Sequence, residues 1–144
     1  MKIELNIPTD RIVQLMSSAM EGGDPVTTAR KGGWCWGIYW HSRKAPPPDG
    51  FWYADEKFLG GQFRLQIVEV ADENLYDRDA TETANIKSGA FKLHTVTDKH
   101  FAKGLAVMAE KFPHQFGQIM TDDIDAPCAD AFLQSMLFGD EKYA

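Results

Sequence analysis

The hydrophobic period changes several times along the chain, and each change predicts an element. Residues 2–7, KIELNI, alternate polar and apolar with Ile3, Leu5 and Ile7 on one side. That pattern predicts a short half-buried strand, ended by Pro8. The period then becomes helical. In RIVQLMSSAM, residues 11–20, Ile12, Val13, Met16, Ala19 and Met20 form one stripe. Thr9 and Asp10 offer N-caps, and Glu21-Gly22-Gly23 offers a glycine stop.

Residues 22–33, GGDPVTTARKGG, read as a loop, and residues 34–41, WCWGIYWH, as an aromatic strand. The triple proline within 42–50 favours an extended, rigid excursion. Phe51-Trp52-Tyr53 predicts the start of another strand, and Gly60-Gly61 a turn. Residues 62–70, QFRLQIVEV, give the clearest strand. Phe63, Leu65 and Ile67 share one side, Val68 and Val70 the other, which predicts either a bulge or burial on both faces. Residues 72–88 are polar and aperiodic and predict an exposed loop. Alternation returns over 89–96, with Phe91, Leu93 and Thr95 opposite Lys92, His94 and Val96.

The rest is helical in pattern. Thr97 is the expected cap of a helix carrying Phe101, Leu105, Met108 and Phe112. Pro113 interrupts it, and HQFGQIM, residues 114–120, predicts a short second helix. Asp125 is the expected N-cap of a last helix, with Pro127 in its first turn. Its stripe is Ala129, Phe132, Leu133, Met136 and Leu137, and Gly139 stops it. Strands in sequence followed by helices predict a single α+β domain over 1–144. The expected architecture is an antiparallel meander of about four to five strands, packed on an N-terminal helix and two to three C-terminal helices.

Charge narrows the partners. Residues 1–70 hold 8 basic and 8 acidic side chains, and residues 71–144 hold 7 and 13, so the second half carries the whole net charge of −6. An acidic half disfavours binding along a phosphate backbone. Cys35 and Cys128 have no second cysteine at metal spacing and read as free, reduced thiols. No apolar run suits a signal peptide or a membrane span, so a cytoplasmic protein is expected.

Candidate chemistry concentrates in the aromatic strand. Residues 34–53 hold all four tryptophans. By strand parity Trp34, Trp36, Ile38 and Trp40 share one side, and Cys35, Gly37, Tyr39 and His41 the other. The first side is core beneath the C-terminal helices, or a partner or self-association surface, or a stacking platform for a base. Arg30, Lys31, Arg43 and Lys44 bracket the strand; Arg30, Lys31 and Arg43, with Trp52, complete the candidate binding set.

Glu21 sits at a helix C-terminus, where the helix dipole disfavours a carboxylate. Paired with His94 it would make an acid–base couple, and these two are the weak catalytic candidates. The four histidines, at 41, 94, 100 and 114, show no metal-binding spacing. The acidic turn Asp122-Asp123-Ile124-Asp125 lacks the glycine and terminal glutamate of a calcium loop. No nucleophile elbow, Walker loop or dinucleotide fingerprint is present, and no metal or cofactor is expected.

Three blocks resemble a family of small uncharacterised phage and prophage proteins. They are SSAMEGG at 17–23, His94-Thr95 leading into GLAVMAEKFP at 104–113, and ADAFLQSMLFGDEKY at 129–143. The resemblance implies a mobile-element protein in a bacterial cytoplasm and brings no chemistry with it. The resulting expectation is an accessory protein that binds a host or phage protein without catalysis, with a homodimer also open. The alternatives are a nucleotide or small-ligand sequestering protein and, third, a small enzyme using Glu21 and His94.

Overall fold

The structure, a computed structural model, describes residues 4–21, 38–40, 64–70 and 87–143, without the side chains of Glu21, residues 38–40 and Val70. The elements are α1 (Thr9–Glu21), β1 (Ile38–Trp40), β2 (Arg64–Val70), β3 (Phe91–Thr97), α2 (Asp98–Lys111), α3 (Pro113–Met120) and α4 (Ala126–Phe138). The mixed α+β class holds. The expected meander of about four to five strands does not: among the described residues the sheet has three strands, ordered β1-β2-β3. Only β2 and β3 pair over a full seven residues, antiparallel, from Arg64↔Thr97 to Val70↔Phe91. β1 adds a three-residue antiparallel edge.

Residues 4–8 form no strand, contrary to their alternation. Three alternating apolar residues need a neighbouring ladder to hold them extended. Here Leu5 is exposed, and Ile7 packs against the core just ahead of α1. Residues 34–37, 51–53 and 22–33 lie outside the described residues, as does most of the expected loop at 72–88.

The continuous β2–β3 register excludes a bulge in β2, so the switch at Ile67-Val68 reflects burial on both faces. Leu65, Ile67 and Val96 join the helices in the main core. Val68 and Phe91 are buried on the opposite face, where Leu93 is exposed.

Local chemistry starts and stops the helices where expected. Thr9 and Asp10 lie inside the first turn of α1, a one-residue difference of the usual size. Thr97 caps α2 from an extended conformation. His100 completes the capping box, its Nδ1 accepting from Thr97 N at 3.0 Å. Pro113 opens α3, where its missing N–H costs nothing. Asp125 Oδ1 accepts from Cys128 N at 2.8 Å and caps α4, and Gly139, at φ +70°, ends it.

α4 is the central element. Every residue from Cys128 to Met136 is buried, which a one-sided stripe does not predict. α4 packs on α1, α2 and α3 and on β3. Its approach to α2 is close at Gly104, where a Cβ would stand 2.6 Å from Met136 Cγ and 3.1 Å from Phe132 Cε2. Arg11 ties α1 to the end of α3, donating to the Ile119 carbonyl and pairing with Asp122 at 3.1 Å. The acidic turn therefore serves as cap and ion-pair partner. Because α4 is enclosed all round, its polar residues Asp130, Gln134 and Ser135 are buried too. They lead to the site.

Candidate functional site: the Glu69 clasp

Glu69 is the one acid in the apolar strand QFRLQIVEV. It lies on the same side of β2 as Leu65 and Ile67, so it is carried into the helix-facing layer and is 1% exposed. An isolated carboxylate there would cost several kcal/mol. Three donors meet it instead. His94, on β3 in the next row of the same face, contacts Oε2 through Nε2 at 2.8 Å. The side chains of Lys142 and Tyr143 both donate to Oε1.

Those two come from the segment after α4, and Gln134 determines where that segment runs. Its Oε1 accepts from the backbone N–H groups of Lys142 and Tyr143, each at 2.8 Å. Its Nε2 donates to the Tyr143 carbonyl at 2.7 Å and to Asp130 Oδ2 at 2.8 Å. Both amide hydrogens and both acceptor positions are thus used, which is why an amide is tolerated at full burial. Lys111 Nζ holds the start of the segment, donating to the Gly139 carbonyl at 2.9 Å and to Asp140 at 3.0 Å.

Aromatic rings close the rest. Phe138 meets the His94 ring edge-on at 5.6 Å and the Tyr143 ring at 5.9 Å. Lys142 Nζ lies 5.1 Å from the Phe138 centroid and 5.2 Å from that of Tyr143, within cation–π range.

Burial alone would push the Glu69 carboxyl up. The hydrogen bonds from Lys142, Tyr143 and His94 outweigh it and hold the group at about 2. Glu69 therefore accepts as a carboxylate, and His94 Nε2 carries the hydrogen between them. The hydrogen bond to Glu69 raises Lys142 above its ordinary value. Burial, then the hydrogen bond to Glu69, raises the Tyr143 phenol. The arrangement turns His94 Nε2 to the carboxylate and leaves Nδ1 as the ring's other nitrogen. It also fastens the segment after α4 to the sheet.

Of the residues singled out in the sequence, His94 lies in this clasp. Trp40 occupies one cross-strand row with Ile67 and His94, and its side chain is outside the described residues. Glu21 ends α1, and its side chain is likewise outside them. Trp34, Trp36, Trp52, Arg30, Lys31 and Arg43 also lie outside. Sequence reasoning missed Glu69, Gln134, Lys142 and Tyr143. Two signals were present: a lone acid inside an apolar strand, and Asp130 and Gln134 four apart within an apolar helix. Among the described residues no three His, Cys, Asp or Glu side chains are placed to hold a metal ion, and no helix is long and apolar enough to cross a membrane.

Compared with protein-family models, with curated proteins and with solved structures, the chain finds no match.

Proposed function

We propose that the protein acts by binding another protein, as an accessory protein of phage or prophage type in the bacterial cytoplasm, and not by catalysis. One observation carries this reading. Glu69, the buried acid that holds a histidine, has both oxygens engaged and its carboxyl at about 2. A general base is most effective with a pKa near the working pH. A carboxylate held so low is a poor base at neutrality, and its charge instead fastens one segment of the chain to another. His94 Nε2 is already held by Glu69, so a small enzyme built on Glu21 and His94 would have to work through Nδ1.

The resemblance to phage proteins falls on the same residues. The blocks that carry it contain His94, Gln134, Phe138, Lys142 and Tyr143, all members of the clasp. The contact surface put forward on sequence grounds is the Trp34, Trp36 and Trp40 strand.

The test is a pull-down from phage-infected or lysogenic cells with wild type and Trp40→Ala. The reading expects a discrete protein retained by wild type and lost or reduced with the variant. Retention of nothing beyond a control bait contradicts it. Saturable quenching of tryptophan fluorescence by nucleotides would favour the sequestering alternative instead.

A further inference from the structure

We propose that residues 139–143 form a releasable strap, and that the cradle beneath it receives an extended segment of the partner protein carrying Lys or Arg directly before Tyr. The inference rests on the protein-binding reading and adds to it a second contact, at Glu69, His94 and Gln134.

The strap is held differently from the helices and from β2 and β3. Residues 139–143 belong to no helix or strand. The buried core is made by α1 to α4, β2 and β3, and of the strap only Tyr143 packs against its edge. The strap is held mainly by polar bonds, through Lys111, Gln134 and Glu69. Asp140, Glu141 and Lys142 are exposed. Only the Lys111 attachment is exposed, while those to Glu69 and Gln134 are part-buried; segments outside regular structure with few apolar contacts open locally, below the free energy of global unfolding.

The cradle reads two kinds of information. Gln134 takes two consecutive backbone N–H groups and the following carbonyl, so it recognises main chain and accepts other side chains. Glu69 reads the side chains. With the strap away, it keeps only His94 among the partners described above, and its charge faces the vacated cradle. An occupant that covers it again must bring a cation and a hydroxyl donor in adjacent positions, because a carboxylate reburied without donors is costly. Phe138 offers the cation a ring face. A Lys-Tyr or Arg-Tyr pair in an extended segment meets both demands, and Lys142-Tyr143 is the intramolecular copy of it.

The probe is a synthetic peptide of residues 138–143, FGDEKY, with FGDEEY as control. The receptor is the full chain, wild type or Lys142→Ala/Tyr143→Ala. With its own side-chain contacts to Glu69 removed and only main-chain bonds left to compete, the double variant should bind FGDEKY about tenfold more tightly than wild type, and FGDEEY not measurably. Absence of binding to a double variant that still unfolds cooperatively overturns the proposal. A second measurement needs no variant. In wild type, the amides of Lys142 and Tyr143 should exchange with solvent about 100-fold faster than those of Phe132 and Leu133, through local opening. Equal rates would mean release only on global unfolding, and overturn the proposal.

Two outcomes separate this inference from the reading beneath it. A partner retained equally by wild type and the double variant overturns the cradle contact and leaves the protein-binding function standing. Self-association of wild type, lost in the double variant, would assign the cradle to a second copy and overturn the partner assignment.

Discussion

Glu69 and Tyr143 are 74 positions apart in the chain and meet at a single carboxylate oxygen, Oε1, which the Lys142 ammonium shares. That contact joins the middle strand of the sheet to the segment following the last helix. It is polar, buried at the acid, and held in place by a second buried polar residue, Gln134. The energetics of the clasp follow from that asymmetry.

Removing the charge from the buried end should cost far more than removing it from the wet end. Glu69→Gln leaves three donors facing one neutral amide and is expected to destabilise the fold by about 3 kcal/mol. Lys142→Met removes a side chain that is 44% exposed and should cost under about 1 kcal/mol. Urea unfolding of the two variants beside wild type measures both. Equal losses would show that the burial asymmetry has no energetic meaning.

Stability should fall with acid in a defined window. The Glu69 carboxyl is lowered from 4.5 to about 2 on folding, so the unfolded state binds its proton first. The stabilisation is complete above about pH 4.5 and is lost as pH falls toward 2. A depression of that size corresponds to about 3 kcal/mol. Asp125, lowered by its bond from the Cys128 amide, adds a smaller loss of the same sign. Urea midpoints at pH 6 and pH 3 should therefore differ strongly in wild type and much less in Glu69→Gln.

The α2–α4 crossing should reject side chains at position 104. A Cβ on Gly104 meets Met136 and Phe132 at less than contact distance. Overpacking typically costs about 1–3 kcal/mol, and Ala recovers about 1 kcal/mol of helix propensity over Gly. Gly104→Ala should lose about 1 kcal/mol, and Gly104→Val about 3 kcal/mol. Thermal unfolding in that rank order is the check. A stabilised Ala variant would show that the two helices can separate freely.

Cys128 should be chemically silent in the folded protein. Burial, then the Asp125 charge, pushes its thiol up to about 12, and its Sγ donates to the Gln115 carbonyl at 3.3 Å. Thiolates are the reactive form. In a Cys35→Ser background, a thiol reagent at pH 8 should label Cys128 only as fast as the protein unfolds, and at once in guanidinium. Rapid labelling of the folded protein would contradict the packing of α4.

The helical half of the fold was legible because its signals are local. Thr97, Pro113, Asp125 and Gly139 each act on neighbours within one turn. Strand β2 was legible from its own alternation, and burial on both faces explains its switch at Val68. The strand expected at 2–7 is absent over its described residues, 4–7, because alternation describes a side-chain pattern and not the presence of a neighbour to pair with. The clasp was illegible for a related reason. Asp130 and Gln134 look solvent-facing in a helical stripe, and only α4's enclosure by α1, α2, α3 and β3 buries them. Glu69 looks like an ordinary strand-end acid until Lys142 and Tyr143 arrive from the far end of the sequence.

The central claim is that Glu69 is a locked structural anion and not a proton-transfer group. The direct measurement is the pH titration of the Glu69 side-chain carboxyl carbon by ¹³C NMR. The account predicts a midpoint near 2, well below the 4.5 of a free glutamate. A midpoint at or above 4.5 would contradict it, and would make Glu69 and His94 a new candidate acid–base pair.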